Sequence, residues 1–300
     1  MSKHLFSPGH TACAGCGQSL AVRLVMDAAG PNTIVANNTG CLEVFSTKYP
    51  ESAWEIPFIH SLFENAAAVA SGVEAALIYL GKKDAINVIA EGGDGGTADI
   101  GFQALSGMLE RGHDILYVCY DNEAYMNTGI QRSGLTPFSA STTTSPAGKS
   151  SLGNVRYKKP MPEICLAHGI PYVATASPSF AQDLQRKVKK ALSIKGPKYI
   201  QIHSPCPLGW RHETTAMLDI GKLAVDTGLF PLIEYENGKL AGVRKITLKP
   251  VEEYLKAQGR FKHLLDNPEQ IKKIQEIADA NIAKYGLKTE PQPQEEQQAA

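Results

Sequence analysis

The sequence predicts an α/β fold built on a doubly wound parallel sheet. Short apolar segments of the length of buried strands alternate along the chain with longer segments that have helical periodicity. Polar or glycine-rich turns separate them, and the strand–helix–strand order repeats from near the start to about residue 202. Such alternation is typical of parallel sheets covered by helices on both faces.

The individual elements follow from the same patterns. Helices are predicted over residues 18–29, 65–80, 98–111 and 180–194, and strands over residues 33–36, 85–90, 114–120, 171–174 and 198–202. Ser177, Pro178 and Ser179 carry capping chemistry at the start of the fourth helix. No G-x-G-x-x-G follows a strand, so the pattern does not indicate a nicotinamide cofactor.

The pattern changes after about residue 235, which suggests three regions: 1–235, a C-terminal extension over 236–288, and a polar tail over 289–300 that we expect to be disordered. The extension begins with an Asn237-Gly238 hairpin signal and contains a charged helix over 268–285. A Ser/Thr/Gly-rich stretch over 136–154 is predicted to be a flexible surface loop, and its position makes it a candidate lid or partner-docking loop over the site.

Composition excludes several classes of function. Thirty basic and thirty acidic residues cancel, so nothing indicates a nucleic-acid surface. The 43% hydrophobic content suffices for a core, yet no apolar run is long enough for a membrane span. No apolar leader precedes the first cysteines, and six cysteines without a leader favour a reducing, cytoplasmic location.

The most informative motif is Gly93-Asp94-Gly95, at the end of a predicted strand. Asn122 follows 28 residues after Asp94, directly after the next predicted strand. The carboxyl ends of neighbouring parallel strands meet at one edge of a sheet, so both side chains are expected to lie together. Carboxylate and amide oxygens suit Mg²⁺ shared with phosphate, and the helix over 98–111 would point its N-terminus at that anion. Gly-Asp-Gly alone is also a common turn.

A second, independent constellation consists of Cys13, Cys16, Cys41 and Cys206. Four thiolates can close one metal or cluster site, with Cys13 and Cys16 supplied by a single C-x-x-C turn. By itself the C-x-x-C pair also fits a thioredoxin-like redox pair or half of a zinc site. The remaining cysteines, Cys119 in an apolar strand and Cys165 on an apolar helix, are predicted to be buried small hydrophobes.

These residues resemble the GDG…N signature of thiamine diphosphate enzymes. Residues 120–134 (YDNEAYMNTGIQRSG) are most similar to the β subunits of 2-oxoacid:ferredoxin oxidoreductases, and in particular to those acting on pyruvate; the resemblance covers roughly residues 8–240. It implies a sheet of the thiamine diphosphate-binding type that holds thiamine diphosphate and Mg²⁺. The implied cofactor contacts are Gln18, Cys41, Gly93, Asp94, Gly95, Gly96, Asn122, Ala124 and Asn127, with Mg²⁺ bound by Asp94, Asn122 and the Ala124 carbonyl. Some relatives carry Glu at the position of Gln18.

The resemblance also implies that Cys13, Cys16, Cys41 and Cys206 bind a [4Fe-4S] cluster. The expected activity is then the reversible, coenzyme A-dependent oxidative decarboxylation of pyruvate to acetyl-CoA and CO₂, with electrons passed to ferredoxin. Branched-chain, aryl or dicarboxylic 2-oxoacids remain alternative substrates. A non-catalytic zinc or redox module is the remote alternative.

Some parts of such an enzyme are not evident in this sequence. The glutamate that activates the thiamine ring is expected on a partner α subunit, and Glu64 is interpreted as structural. No C-x₂-C-x₂-C run is present, so γ and ferredoxin-like δ subunits are expected to supply further clusters. His10, His60 and His203 are weaker candidates for tuning a cluster or binding substrate.

Overall fold

The computed structural model describes residues 4–289, and these form one large sheet flanked by helices. The helices are α1 Gly17–Ala29, α2 Cys41–Ser46, α3 Ala66–Tyr79, α4 Phe102–Glu110, α5 Met161–Leu166, α6 Ala181–Ser193, α7 Pro207–Trp210, α8 Met217–Asp226, α9 Val251–Lys256 and α10 Pro268–Tyr285. The strands are β1 Thr33–Asn37, β2 Phe58–His60, β3 Asn87–Gly93, β4 Leu116–Asp121, β5 Ala147–Gly148, β6 Ser151–Leu152, β7 Tyr172–Ala176, β8 Lys198–His203, β9 Ile233–Glu236 and β10 Lys239–Val243.

The main sheet has eight strands in the order β10-β9-β7-β8-β4-β3-β1-β2. Strands β2, β1, β3, β4, β8 and β7 are mutually parallel, whereas β9 is antiparallel to β7. The predicted α/β fold with a doubly wound parallel sheet is therefore confirmed. Strands β3 and β4 lie side by side near the middle, where both faces are covered by protein.

Alternating side chains of the central strands enter two different cores. Ile89 of β3 packs on the face covered by α1 and α6, and its neighbour Val88 packs on the face covered by α3, α4 and α5. Both side chains are at most 2% exposed. Because a strand turns successive side chains to opposite faces, continuous apolar runs such as that of β4 are required here.

Two predicted elements differ from the structure around the Gly-Asp-Gly motif. Residues Lys83–Ala85 form a short 3₁₀ turn, so β3 begins later and continues through Gly93. The predicted helix over 98–111 is divided into a π-helix, Gly96–Ile100, and α4. At the junction, a Cβ on Gly101 would lie 2.0 Å from the carbonyl oxygen of Gly96, so this close backbone approach requires glycine.

The stretch over 136–154 is predicted to be a flexible surface loop, and in the structure its two ends pack against the protein while its middle is largely exposed. It contains the small β5–β6 hairpin, and Ala140 and Asn154 are buried. The Asn154 amide donates to the carbonyl oxygens of Thr136 and Pro137. Short polar side chains therefore satisfy the backbone of this segment, which composition alone does not reveal.

The C-terminal extension is continuous with the sheet. The predicted Asn-Gly hairpin is present as β9 and β10, with Asn237 and Gly238 at φ +47° and +78°. The proposed boundary at residue 235 falls inside β9, which pairs with β7. Helices α8, α9 and α10 enclose a third apolar cluster that includes Trp210. The predicted disordered tail lies outside the described residues except for Thr289. Across residues 4–289, none of the helices combines the length and apolar character needed to cross a membrane.

Candidate active site

The site is built at the carboxyl ends of β3 and β4. Gly93, the last residue of β3, is in register with Tyr120 of β4, so the residues that follow each strand emerge next to one another. Asp94 directly follows Gly93, and Asn122 follows Asp121, the last residue of β4, whose carboxylate is paired with Lys158. The predicted proximity of the two side chains is observed, and it follows from parallel pairing.

Three oxygen-bearing groups converge at this edge. One of the two terminal atoms of the Asn122 side-chain amide lies 2.9 Å from Asp94 Oδ1 and 2.8 Å from the carbonyl oxygen of Ala124. If that atom is nitrogen, it donates to both oxygens; if it is oxygen, three oxygens meet with no hydrogen between them. In the second arrangement a bound cation would relieve the repulsion between the oxygens, and this carboxylate–amide–carbonyl set is one that Mg²⁺ accepts. The residues therefore fit the metal implied by the sequence.

Asp94 is held in place and has unusual electrostatics for a carboxylate. It is 1% exposed, and the Ser133 hydroxyl donates to its Oδ2. Burial and the nearby Asp121 carboxylate raise its pKa well above the usual range. A buried carboxylate without a compensating positive charge is costly, so a cation bound at Asp94 would stabilise its ionised form.

A cavity opens directly beside these oxygens. All nine residues predicted to contact the cofactor line it: Gln18, Cys41, Gly93, Asp94, Gly95, Gly96, Asn122, Ala124 and Asn127. Sequence reasoning missed other wall residues, namely Asn37, Asn38, Thr39, Gly40, Leu42, Phe63, Tyr125, Met126 and Thr128. Tyr125, Met126 and Thr128 lie within the run over 120–134. Asn37 ends the adjacent strand β1 and Asn38 and Thr39 follow it, so these three could have been suspected from that position.

Each glycine of the motif has a different structural role. A Cβ at Gly95 would lie 2.2 Å from Cε1 of Tyr125, so the ring and the backbone pack too closely for any side chain. A Cβ at Gly93 would meet no atom within 4 Å, which leaves its backbone open to the cavity. The π-helix begins at Gly96 on the same wall, and its first N–H groups suit an anion such as a diphosphate.

The four predicted ligand cysteines all line a second cavity, which lies next to the first. Cys13, Cys16, Cys41 and Cys206 all contribute to its wall, and Gln18, Cys41, Asn122 and Asn127 line both cavities. Within the described chain, no three His, Cys, Asp or Glu side chains come close enough to hold a single metal ion. The thiols thus surround a space instead of meeting at one point. Cys119 and Cys165 are fully buried elsewhere, as predicted.

Local structure positions these thiols. The Cys16 N–H donates to the carbonyl oxygen of Cys13 at 3.1 Å, which closes the C-x-x-C turn just before α1. Gly15 within it has φ +73°, where L-residues are strained. Burial, together with the neighbouring thiols, raises the pKa of Cys41 to about 12 and that of Cys206 to about 11. Bound iron would be needed to keep such thiols ionised.

Several buried polar atoms near both cavities have no hydrogen-bond partner within residues 4–289. They are Oε1 of Gln18, both side-chain polar atoms of Asn37, and Oε2 of Glu91. Gln18 and Asn37 reach the cavity wall, where a bound ligand could satisfy them. Glu91 lies one residue before the glycines, accepts from the Tyr120 hydroxyl at 2.7 Å, and has its pKa raised to about 8 by burial.

The three candidate histidines lie in three different environments. His60 Nε2 lies 2.8 Å from the hydroxyl oxygen of Thr39, a cavity-wall residue, so His60 borders the site. The ring of His10 stacks on Phe6 near the cysteine turn, with ring centroids 5.2 Å apart. His203 is buried against Trp210, on the side of the C-terminal extension. Glu64 precedes α3 and is not part of the cavity wall.

The fold and the site define a thiamine pyrophosphate enzyme. The family model described as "Thiamine pyrophosphate enzyme, C-terminal TPP binding domain" matches residues 38–202, which include β2 to β7, most of β8 and the Asp94–Asn122 pair. More than half of the chain is covered, so the chain contains the thiamine pyrophosphate-binding domain of that class.

The full-length comparisons specify the family further. The chain is 60% identical to pyruvate synthase subunit PorB of Methanosarcina barkeri, covering 95% of this chain and 98% of the relative. It is 58% identical to the subunit of the same name from Methanocaldococcus jannaschii, covering 94% and 96%. Ketoisovalerate oxidoreductase subunit VorB of Pyrococcus abyssi is 49% identical over 91% and 94%. The chain belongs to the family of pyruvate synthase PorB subunits and is a subunit of a multi-subunit enzyme.

The fold itself is shared more widely. A chain of a 2-oxoglutarate:ferredoxin oxidoreductase from Magnetococcus marinus, solved with 2-oxoglutarate, coenzyme A and succinyl-CoA bound, superposes with a TM-score of 0.55. The two chains are 24% identical, and the match covers 71% of this chain and 76% of the other. At this identity the likeness establishes the fold.

Proposed function

We propose that this chain is the catalytic β subunit of an enzyme that oxidatively decarboxylates pyruvate to acetyl-CoA and CO₂, reversibly, with ferredoxin as the electron acceptor. The observation that carries the proposal is the convergence of Asp94, Asn122 and the Ala124 carbonyl beside one cavity, next to a second cavity lined by four cysteines. Membership of the pyruvate synthase PorB family supports pyruvate as the substrate.

In this proposal Mg²⁺ is held by Asp94, Asn122 and Ala124, and the diphosphate lies against the backbone of Gly93 to Gly96. Ser133 keeps the Asp94 carboxylate oriented by donating its hydroxyl hydrogen to Oδ2. Gln18, Cys41 and Asn127 complete the wall of the cofactor cavity. The protein's contribution is binding and orientation, while bound thiamine supplies a nucleophilic carbon and stabilises the charge left by decarboxylation.

Cys13, Cys16, Cys41 and Cys206 are the proposed ligands of a [4Fe-4S] cluster, which supplies a one-electron acceptor. Four thiols on the wall of one cavity suit a polynuclear cluster. Cys41 lies at the N-terminus of α2 and lines both cavities, so a cluster bound there would be next to the cofactor. This adjacency supports transfer of electrons out of the cofactor site instead of simple, non-oxidative decarboxylation.

The rest of the active site is proposed to come from partner chains. Glu64 is outside the cavity wall, so the glutamate that activates the thiamine ring is assigned to an α subunit with a pyrimidine-binding module. Further clusters are assigned to γ and ferredoxin-like δ subunits, and coenzyme A binds the assembled enzyme. A cytoplasmic location is proposed with these partners, because the cluster thiols need a reducing compartment.

A second substrate class is also supported by the comparisons. The VorB relative named as a ketoisovalerate oxidoreductase subunit is 49% identical, so a branched-chain 2-oxoacid is the second candidate. The higher identity to PorB subunits favours pyruvate. The rate of viologen reduction discriminates the two candidate substrates. It is measured on the anaerobically purified complex with pyruvate and with ketoisovalerate, in the presence of coenzyme A. Preference for ketoisovalerate would reject pyruvate as the substrate and retain the cofactor assignment.

A further inference from the structure

The turn that presents the proposed magnesium ligands has a strained residue at its centre. Glu123 lies between Asn122 and Ala124 and has φ +69°, in the left-handed region that non-glycine residues seldom occupy. It is only 4% exposed. Such a conformation persists only where surrounding contacts impose it, so the contacts of Glu123 determine how the two neighbouring ligands are presented.

Two cations hold the Glu123 carboxylate, the buried Arg260 and the partly exposed Lys158. Arg260 Nη2 donates to Oε2 at 2.5 Å, and Lys158 Nζ donates to Oε1 at 2.6 Å. Although burial alone would raise its pKa, the cations keep the pKa of Glu123 at about 2. Lys158 is shared with Asp121, whose Oδ2 lies 2.7 Å away, whereas Arg260 forms no other ion pair in the part of the chain that the structure describes.

Arg260 also supports the turn by a second route. Its guanidinium carbon lies 3.9 Å from the centroid of the Trp210 ring, and the indole Nε1 donates to the backbone oxygen of Asn122 at 2.8 Å. One arginine thus stabilises both groups that fix the turn, namely the Glu123 side chain and the hydrogen bond to Asn122. Both Arg260 and Trp210 are at most 3% exposed.

The position of Arg260 in the chain is itself informative. It lies in the 3₁₀ turn Gly259–Leu264 of the C-terminal extension, outside the family model that matches residues 38–202. Its Nε donates to Gln258 Oε1 at 2.9 Å, and its carbonyl oxygen accepts from the N–H of Ser141. The side chain is therefore preorganised before it meets Glu123.

We infer that Arg260 is a positioning residue through which the C-terminal extension sets the Mg²⁺ affinity of the site, acting on the Asn122–Ala124 turn through Glu123 and Trp210. The inference rests on the proposed function, because it assumes that this turn binds Mg²⁺. Groups that orient metal ligands typically change metal affinity by roughly 10- to 100-fold when removed. The effect is expected on the metal, not on the cluster, because the hydrogen bonds of Arg260 within residues 4–289 join it to Ser141, Glu123, Tyr254 and Gln258 and not to a cysteine ligand.

The test uses the whole complex, purified anaerobically with its natural partners. Bound thiamine diphosphate is measured after rapid desalting, as a function of the Mg²⁺ concentration, and iron is measured in the same samples. For Arg260→Gln, the Mg²⁺ concentration for half-maximal retention should rise roughly 10- to 100-fold, with full retention at saturating Mg²⁺ and unchanged iron. Arg260→Lys should restore part of the loss, because it keeps the charge toward Glu123 but not the planar stack on Trp210.

Arg244→Gln is the matched control. Arg244 belongs to the same extension and also stacks on an aromatic ring, with its guanidinium carbon 4.1 Å from the centroid of Phe180, but it lies away from the turn. We expect wild-type Mg²⁺ dependence for this variant. Trp210→Phe keeps a ring beneath Arg260 and removes only the donor to Asn122, so it should raise the half-saturating Mg²⁺ concentration by a smaller factor than Arg260→Gln. This variant tests the same route if Arg260→Gln folds poorly.

The double variant Glu123→Gln/Arg260→Gln separates positioning from general destabilisation. If Arg260 acts through Glu123, the double variant should require no more Mg²⁺ than the worse single variant, because the two residues share one interaction. Additive effects, an unchanged Mg²⁺ requirement for Arg260→Gln, or an equal effect of Arg244→Gln would overturn the inference. A wild-type complex that shows no Mg²⁺-dependent thiamine diphosphate binding would instead overturn the proposed function.

Discussion

Replacing Asp94 with asparagine removes charge from the proposed metal site with the least change in shape. The asparagine side chain oxygen can still accept from the Ser133 hydroxyl, so the local hydrogen bond is retained in weaker form. Among the residues lining the cofactor cavity, Asp94 is the only carboxylate. The neighbouring Asp121 is already paired with Lys158 at 2.7 Å. Among the described residues of the cavity wall, Asp94 is therefore the one carboxylate whose charge toward a bound cation is not already paired.

The size of the effect follows from that single charge. Two unit charges about 4 Å apart interact by about 4 kcal/mol at an effective dielectric constant of about 20, which is appropriate for a site open to a cavity. A loss of about 3–4 kcal/mol corresponds to a roughly 100- to 1,000-fold weaker affinity for Mg²⁺, and retention of thiamine diphosphate would weaken with it. Asp94→Ala, which also removes the ligand oxygen, should abolish thiamine retention.

The assay is the amount of thiamine diphosphate that the complex retains after desalting at a series of Mg²⁺ concentrations, with iron and acid-labile sulfide measured in parallel. Asp99→Asn is the matched control: Asp99 is five residues on, and its carboxylate accepts from the Tyr125 hydroxyl and the Gly134 N–H instead of facing the cavity. We expect loss of thiamine with an intact cluster for Asp94→Asn only. Wild-type retention by Asp94→Asn, or an equal loss in Asp99→Asn, would refute the reasoning.

Three further predictions follow from named contacts. Gly95→Ala places a Cβ 2.2 Å from Cε1 of Tyr125 and should lower stability by about 1–3 kcal/mol, measured by thermal unfolding; an unchanged melting temperature would contradict that contact. Cys206→Ser should lower iron and sulfide content, whereas Cys119→Ser, buried in β4, should leave both unchanged; loss of iron in the second variant would be inconsistent with the ligand assignment. Burial raises the pKa of Glu91 from 4.5 to about 8, so protonation of Glu91 favours the folded state. This contribution to the free energy of unfolding is complete below about pH 4.5 and is lost as the pH rises through about 8. The glutamine of Glu91→Gln cannot ionise, so the melting temperature of this variant should fall less than that of the wild type over this pH interval. Parallel plots of melting temperature against pH for the two proteins would rule out the raised pKa of Glu91.

The sequence was sufficient for the features that depend on short-range patterns. Asp94 and Asn122 each follow a buried apolar strand, and parallel pairing of β3 with β4 brings them together. The gathering of four cysteines around one cavity was suggested by the resemblance and is observed as geometry. The Asn237-Gly238 hairpin followed from turn chemistry that requires positive φ at both residues.

Other features depend on contacts that no local pattern records. The contact between Arg260 and Glu123 joins residues 137 positions apart, and the bond from Trp210 to Asn122 joins residues 88 apart. Apolar periodicity also could not separate the π-helix at Gly96 from an ordinary helix, because the distinction lies in one close backbone approach at Gly101. Composition predicted a surface loop over residues 136–154, but it could not show that the Asn154 amide donates to the carbonyl oxygens of Thr136 and Pro137. In each case tertiary packing determined the outcome.

The central claim is tested most directly by pyruvate-driven reduction of a viologen dye by the anaerobically purified complex, with and without coenzyme A. The proposed function predicts reduction that depends on pyruvate and requires coenzyme A, in a preparation containing thiamine diphosphate, iron and acid-labile sulfide. A complex that contains these groups and does not reduce the dye with pyruvate would contradict the claim.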